Sequence, residues 1–427
     1  MNVRNVERAR LLIVGGGPAG TGPLIYCANR GLLHEVLRAG VVVVDQKEGL
    51  CVGRLGDYLI GSNSSASSFI ESLEHPHSEG IFATALASHA YRKLQEDRWA
   101  TAPLPDVAQL LELIGRDLAQ AIATSCNSQF QSRSRVSAIR TLPHGGFEST
   151  LTTPVGEHCV TSDSVLLATG GHPRYDESVA RQVVNALGRS GVSQQPTFSH
   201  SDSVLSGRSL PAIKARLSQS QGEAVVFGGS HSAFSVAALL APYARQVSIV
   251  HRKPIKVFYP SVESAHEEGY YDFSEHDICP ETKRVFRIAG LRGHARELYR
   301  QVTAKGYRGN VRLIRSAGDE ITDEIVWPRQ GAIIFALGYH FSKVPMFDSD
   351  GRELELLGDY TGEYVDSMCR LLDSSGCSIP GAYAVGMATG FRPTGKLGGE
   401  PSFSGRDNSV WLCQHLLGEI LAQATLV

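Results

Sequence analysis

One junction constrains the fold more than any other stretch: the apolar run Arg10-Leu11-Leu12-Ile13-Val14 is followed at once by Gly15-Gly16-Gly17-Pro18-Ala19-Gly20. A short apolar run stopped by glycines reads as a buried strand. The glycines at this spacing answer three needs. Gly15 permits a tight turn, Gly17 leaves room for a pyrophosphate, and Gly20 lets a following helix lie close to the strand. With Pro18 and Ala19 in its first turn, that helix offers free N–H groups and the positive end of its dipole to phosphate. It is expected to run to about Arg30 and end at Gly31. A second buried strand, Val41-Val42-Val43-Val44, closes on Asp45, whose carboxylate can accept hydrogen bonds from a ribose diol. Two features depart from the pattern. Pro23 sits inside the helix, where it cannot donate to the carbonyl four residues back. Asp45 lies 25 residues beyond Gly20 rather than about 20, and Leu32 to Gly40 reads as the short insertion responsible. The unit is βαβ and predicts an α/β chain with a parallel sheet covered by helices on both faces.

The same unit recurs. Glu223-Ala224-Val225-Val226-Phe227 leads into Gly228-Gly229-Ser230-His231-Ser232-Ala233, and a further strand ends at His251-Arg252. Ser230 stands where the middle glycine belongs and crowds an approaching pyrophosphate, although its hydroxyl can hydrogen-bond phosphate. Arg252, in the place of an acid, suits the 2′-phosphate of NADPH and leaves NADH less favoured. A degenerate repeat retained only for structure is the competing reading of this motif.

Composition excludes several classes. With 42% apolar and 20% charged residues, the 427-residue chain reads as an ordinary globular protein of two domains. A net charge of −2 gives no electrostatic footprint for nucleic acid or an anionic membrane. No apolar run reaches the roughly 18 residues of a spanning helix, and the polar start lacks the apolar stretch of a secretory signal. The eight cysteines are scattered without a Cys-x-x-Cys, which predicts reduced thiols in a cytoplasmic protein. The histidines show no ligand spacing, so no metal is expected. Between the glycine motifs, Leu55 to Ser68 reads as a functional loop and 106–124 as a helix. Short strands near 129–140 and 147–153 lead to the strand Ser164–Ala168. Residues 258–310 are polar and in part helical. Later come the strands Ala332–Ala336 and Ala382–Gly386, a glycine-rich loop, and a helix over about 409–422.

These residues resemble a known group. Two nested dinucleotide-binding domains occur in flavoproteins similar to glutathione and thioredoxin reductases, and in class B flavoprotein monooxygenases. The markers are the first glycine motif, Leu167-Ala168-Thr169-Gly170 with Pro173, the second motif with Ser232-Ala233, and Ala336-Leu337-Gly338-Tyr339. Without a Cys-x-x-Cys there is no dithiol to work beside a flavin, which argues against the disulfide reductases. The second glycine motif and Ala-Leu-Gly-Tyr look more like the monooxygenases, nearest the N-hydroxylating and flavin-containing types. The Baeyer–Villiger fingerprint is missing; Phe198-Ser199-His200-Ser201 occupies its region without the rest.

The resemblance implies two Rossmann-like domains, the second inserted in the first: FAD-binding over 1–205, NADPH-binding over 206–335, and FAD-binding again over 336–427. It implies FAD at Gly15, Gly17, Pro18, Ala19, Gly20 and Asp45, with Gly386 near the flavin. NADPH would lie at Gly228, Ser230, Ser232, Ala233 and Arg252. Gly61-Ser62-Asn63-Ser64-Ser65 is similar to the loop that sets an asparagine beside the flavin, which makes Asn63 the catalytic candidate; a plain Ser/Asn-rich turn is the alternative. The implied activity is an NADPH-dependent monooxygenase inserting one oxygen atom into a small-molecule substrate through a peroxyflavin. In such enzymes the cofactor carries the chemistry, so the protein needs no acid–base dyad. Substrate contacts would come from 258–310 and the loop 386–405, where Arg392 and Lys396 are candidate anchors for an anion. Two other readings stay open: a flavin-dependent dehydrogenase or oxidase that does not use NADPH, favoured by Ser230, and a non-catalytic flavin-binding accessory protein.

Overall fold

The computed structural model describes residues 8–77, 80–189, 196–316, 325, 327, 331–386, 388–391, 399–403 and 410–426, without the side chains of 189 and 410–416. β1 (Arg8–Val14) lies parallel to β2 (Val41–Val44), with Leu11 opposite Val41 and Val14 opposite Val44. Each valine of β2 is at most 1% exposed. Burial of this kind stabilises by roughly 1.5–3 kcal/mol per side chain relative to exposure. A β-branched run buried on both faces is what a helix-covered parallel sheet demands. The helix Pro18–Asn29 carries Pro23 within it. The expected insertion is a second helix, Leu33–Gly40, which buries Leu33, Val36 and Leu37.

The Gly/Ser-rich stretch expected as a loop holds regular structure. β3 (Gly61–Ser65) pairs antiparallel with β4 (Thr101–Pro103). Flanking backbone bonds pin it, from Leu104 N–H to Ile60 O and from Ala66 N–H to Ala100 O. The helix Leu104–Thr124 then buries Val107, Leu110, Leu111, Ile114, Leu118 and Ile122, the periodic face read from sequence. β5 (Gln129–Gln131) extends the sheet beyond β2. An antiparallel meander follows: β6 (Arg135–Thr141), β7 (Phe147–Thr153) and β8 (Gly156–Leu167). β8 is long enough to serve twice, pairing with β7 along its first part and running parallel to β1 along its last.

After β9 (Gly171–Pro173) the chain builds a second sheet. Its strands are β10 (Thr197–His200), β11 (Glu223–Phe227), β12 (Gln246–His251), β13 (Val311–Arg315) and β14 (Ala332–Phe335). They run parallel in the order β10-β14-β11-β12-β13. The second sheet therefore claims residues ahead of the expected crossing at 205/206. Thr197 already pairs with Ala332, and Val183 of the helix Glu177–Arg189 packs with Val225 and Ile333. Thr-Phe-Ser-His is too short and polar to announce an edge strand. The region 258–310 contains the helices Val262–Glu267 and Gly293–Thr303.

The chain returns through β15 (Tyr339–Phe341), which lies antiparallel to β9. β16 (Met346–Phe347) joins β6, β17 (Arg370–Leu372) pairs with β18 (Ser378–Ala384), and β18 runs parallel to β8. The last helix, Val410–Leu426, covers Pro18–Asn29. A Cβ at Gly418 would stand 2.5 Å from the Tyr26 ring, so only glycine allows that approach. The architecture is α/β, with two Rossmann-like units and the second inserted in the first. Among the described residues no helix is long and apolar enough to cross a membrane.

Candidate active site

Both glycine turns are built by one physical rule. Gly15 has φ +107°, and a Cβ there would lie 2.3 Å from the Ala168 carbonyl oxygen. Gly228 has φ +141°, and its Cβ would lie 2.4 Å from the Ala336 carbonyl oxygen. Backbone bonds repeat the match. Gly15 N–H donates to Val44 O and Ala168 N–H to Val14 O, while Gly228 N–H donates to Val250 O and Ala336 N–H to Phe227 O. The alanines of Leu-Ala-Thr-Gly and Ala-Leu-Gly-Tyr are thus the surfaces against which each turn closes. No side chain fits between.

At the first turn, a Cβ on Gly20 would fall 1.9 Å from Gly15 O, so this glycine holds helix and strand together. Gly17 is different. A Cβ there would meet only Gly53, at 3.4 Å, and its outer side is open. Gly17 caps the helix with no side chain, so the first-turn N–H groups of Ala19 and Gly20 have no side-chain cap. Asp45 Oδ2 accepts from Gly16 N–H at 2.6 Å and Oδ1 from Lys47 N–H at 2.6 Å, which fixes the carboxylate at the mouth. Gly386, at φ +99°, abuts Ala19; a Cβ would lie 3.0 Å from that side chain. Thr169 Oγ1 is buried beside the turn and has no partner among the described residues. An open glycine, a bare helix start and an orphaned hydroxyl fit a dinucleotide pyrophosphate.

The second turn is shaped for a similar guest. Ser230 is exposed and extended, with φ −112°, and caps the helix His231–Leu240 without a side-chain bond. Ser232 is half-buried and Ala233 buried in the helix's first turn. Arg252 is exposed immediately after β12.

The two units meet at β3. His231 Nε2–H donates to Gly61 O at 3.0 Å, leaving buried Nδ1 as an acceptor without a partner among the described residues. His294 packs edge-on to this ring at 5.4 Å and is hydrogen-bonded to Ser235 Oγ at 3.1 Å. Burial, aided by neighbouring His294, pulls the His231 pKa from 6.5 down to about 4. On acidification the unfolded chain therefore takes up this proton first. The contribution to stability is complete above pH ~6.5 and is lost as pH falls towards 4, up to about 3 kcal/mol in all. His231→Gln should flatten the pH dependence of the denaturation midpoint over that window. An unchanged slope would rule out His231 as its source.

Asn63 spans the same seam. Its Nδ2 donates to Gly290 O at 3.0 Å and its Oδ1 accepts from Arg292 N–H at 2.9 Å, so both ends of the amide hold backbone of the inserted unit. A second tie lies where the chain crosses. Asp202, 2% exposed, accepts from Arg54 (2.6 Å), Tyr58 (2.6 Å), Tyr339 (3.3 Å) and Arg208. Burial and the neighbouring Asp202 and Tyr339 push the Tyr58 phenol far up, and burial pushes Tyr339 up as well.

The two stretches expected to supply substrate contacts do come together. Glu400, 3% exposed, accepts from Ile288 N–H (3.0 Å) and Ala289 N–H (2.9 Å). Arg392 and Lys396 lie outside the described residues. Sequence reasoning missed Asp202, His231, Arg292 and Glu400 as site residues. Only His231 carried a local signal, its place inside the second glycine motif.

A pair of glycine turns, each where parallel strands of its own sheet end, with the second unit inserted in the first, defines a two-dinucleotide flavoprotein. The chain belongs to the pyridine nucleotide-disulphide oxidoreductase family, whose model matches residues 9–276. It is 33% identical to the CMP-5'-(3-aminopropyl)phosphonate hydroxylase of Streptomyces rubellomurinus (strain ATCC 31215) over 97% of each chain. Two solved structures share the fold. The ornithine N-hydroxylase of Kutzneria sp. 744, with reduced FAD, NADP+ and L-ornithine, matches with TM-score 0.58 and 16% identity over 98% of this chain and 99% of that one. The L-lysine 6-monooxygenase of Pseudomonas syringae matches with TM-score 0.55 and 16% identity over 97% and 99%. The expected class is borne out: an FAD- and NADPH-dependent flavoprotein monooxygenase.

Proposed function

We propose that this enzyme hydroxylates the primary amine of a small, nucleotide-linked phosphonate. The observation that carries the reading is the end-to-end likeness, at 33% identity, to a hydroxylase of CMP-5'-(3-aminopropyl)phosphonate. Bound FAD, reduced by NADPH and reacting with dioxygen, supplies the oxygen-transfer chemistry. The overall balance is amine, O2, NADPH and a proton giving hydroxylamine, water and NADP+.

The chain's own residues bind, orient and exclude water. Gly15, Gly17, Pro18, Ala19 and Gly20 receive the FAD pyrophosphate, Asp45 the ribose, and Gly386 keeps the flavin end of the cleft narrow. Gly228, Ser230, Ser232 and Ala233 receive NADPH, with Arg252 facing its 2′-phosphate. Asn63 acts as the seam that keeps the inserted unit in register with β3. We take the β9–β15 pair as the place where the chain crosses between units. A cytoplasmic setting fits, since Cys27, Cys51, Cys126, Cys159, Cys369 and Cys377 form no disulfide among the described residues.

The test is aerobic turnover of CMP-5'-(3-aminopropyl)phosphonate with NADPH, read by mass spectrometry as the gain of one oxygen. NADPH consumption that yields only hydrogen peroxide would reject the substrate class. Arg252→Ala should raise the KM for NADPH about tenfold or more, as expected for loss of a charged hydrogen bond, with little change for NADH. An equal loss with both nucleotides would remove the 2′-phosphate role.

A further inference from the structure

Five consecutive backbone N–H groups of the inserted unit, Ile288 to Arg292, are all answered, three of them by side chains of the first unit. Glu400 Oε2 accepts from Ile288 N–H at 3.0 Å and Oε1 from Ala289 N–H at 2.9 Å. Gly290 N–H donates to Phe286 O at 3.0 Å and Leu291 N–H to Lys256 O at 2.9 Å, both within the inserted unit. Arg292 N–H donates to Asn63 Oδ1 at 2.9 Å, and Asn63 Nδ2 donates back to Gly290 O at 3.0 Å. Asn63 comes from β3 and Glu400 from the far end of the chain, so one short segment is gripped from two sides. Glu400 is 3% exposed, and its carboxylate makes charge-assisted bonds to two adjacent N–H groups, which a neutral amide cannot copy at both positions. Its neighbours reinforce the grip. A Cβ at Gly399 would stand 2.4 Å from Ile288 Cδ1, Ser402 N–H donates to His276 O at 2.7 Å, and Ser402 Oγ donates to Asp277 Oδ1.

What the segment leads into gives the grip its consequence. Arg292 is the residue before the helix Gly293–Thr303. His294, in that helix's first turn, packs edge-on to His231 at 5.4 Å and is hydrogen-bonded to Ser235 Oγ at 3.1 Å. His231 and Ser235 belong to the helix His231–Leu240, which starts at Ser230 of the second glycine turn. A Cβ at Gly293 would lie 2.3 Å from Thr101 Oγ1 of β4, so the helix start is pressed onto the β3–β4 pair. A chain of direct contacts thus runs from Glu400 and Asn63 to the second turn. Glu400 itself lies on the stretch that follows β18 and Gly386, and Gly386 abuts Ala19 of the first turn.

We propose that Glu400 and Asn63 are positioning residues for hydride transfer: they hold segment 288–292, and through it the second glycine turn, at the separation from the first turn at which NADPH reduces FAD. NADPH gives up a hydride, two electrons with one proton, and leaves as NADP+; these two residues supply placement alone. A misplacement of about 1 Å costs on the order of a hundredfold in such a step. Both oxygens of Glu400 and both ends of the Asn63 amide are committed to backbone, which suits a holding role. The proposal rests on the placement of NADPH at the second turn given above, and not on the substrate class.

The experiment compares the FAD-loaded wild type with Glu400→Gln, Asn63→Ala and the double variant by two readouts. Hydrogen–deuterium exchange without NADPH follows the peptide spanning 286–292. Each single variant should exchange there about tenfold to a hundredfold faster, the effect of losing one or two such bonds. Anaerobic stopped-flow mixing with NADPH then gives the limiting rate of flavin reduction and the half-saturating concentration. The limiting rate should fall about tenfold or more in each variant, while half-saturation stays within about twofold. The double variant should be at most about twofold slower than the slower single, since both release one segment. Asn63→Ala carries the test alone should Glu400→Gln fail to retain FAD. Faster exchange with an unchanged limiting rate would overturn the proposal and leave the pair a purely structural tie. Unchanged exchange at 286–292, or a raised half-saturation with an unchanged limiting rate, would overturn it too. Fully additive slowing in the double variant would show that the two residues do not act through one segment, and so would also reject it. Failure of the NADPH placement has a different signature, an unchanged KM for NADPH in Arg252→Ala.

Discussion

A Gly17→Val variant is expected to purify folded and colourless. The Cβ of residue 17 meets only Gly53, at 3.4 Å, so the protein itself accommodates a side chain there. The branched methyl groups instead fill the open side of the turn, where the pyrophosphate must approach the helix start. FAD affinity should fall at least a hundredfold, or roughly 3 kcal/mol, the upper range for forced overpacking. Visible absorbance of the purified protein and calorimetry of FAD added to the apoprotein measure the loss; circular dichroism checks the fold. A yellow variant with full flavin content would refute the assignment of this turn. Gly20→Val provides the contrast. Its Cβ would lie 1.9 Å from Gly15 O, so strand and helix must separate and the fold itself should suffer.

The second large effect is on stability. Asp202→Ala removes a carboxylate that is 2% exposed and shared by Arg54, Arg208, Tyr58 and Tyr339. Two phenols then lose their acceptor in a buried place, and two guanidinium groups lose their counter-charge. Arg54 is 41% and Arg208 61% exposed, so water recovers part of the charge cost. The expected loss is about 3 kcal/mol, the scale of one or two charge-assisted hydrogen bonds. Because the cluster joins Arg54 and Tyr58 of the first unit to helix and strand at the crossing, the thermal midpoint and coupling between the units should fall together. Flavin reduction by NADPH would slow even where FAD stays bound. A midpoint within a degree of wild type would show that the cluster contributes little.

What sequence could reveal follows from how local the cause is. β1, β2, β11 and β12 are short apolar runs ended by glycine or by a charged residue, and burial on both faces writes itself into consecutive valines and isoleucines. The helix Leu104–Thr124 announces its buried face by spacing alone. β10 gave no such sign, since Thr-Phe-Ser-His is held at an edge by β14 rather than by its own hydrophobicity. β3 is less legible still. Gly-Ser-Asn-Ser-Ser carries no apolar residue, and it becomes a strand because β4, Gly290 and Arg292 take up its hydrogen bonds. The site divides in the same way. Gly15, Gly20 and Gly228 were readable because a positive φ or a close approach excludes every other residue. Asp202 and Arg292 were not, because the partners that tie them to the first unit, Arg54 and Asn63, lie 148 and 229 positions away and no periodicity links such distances.

The twofold use of β8 bears on how a ribosome must make this chain. The second sheet is assembled wholly from residues 197–335, an uninterrupted stretch that can close as soon as it emerges. The first sheet cannot. The last half of β8 waits beside β1 for Ala382, Tyr383 and Ala384, which are synthesised only after the entire insert. The contact of Gly386 with Ala19, at the proposed flavin end of the cleft, is completed later still. The half that begins first is finished last, and the cradle at Gly15 to Gly20 stays without its far wall until about nine-tenths of the polypeptide has been translated.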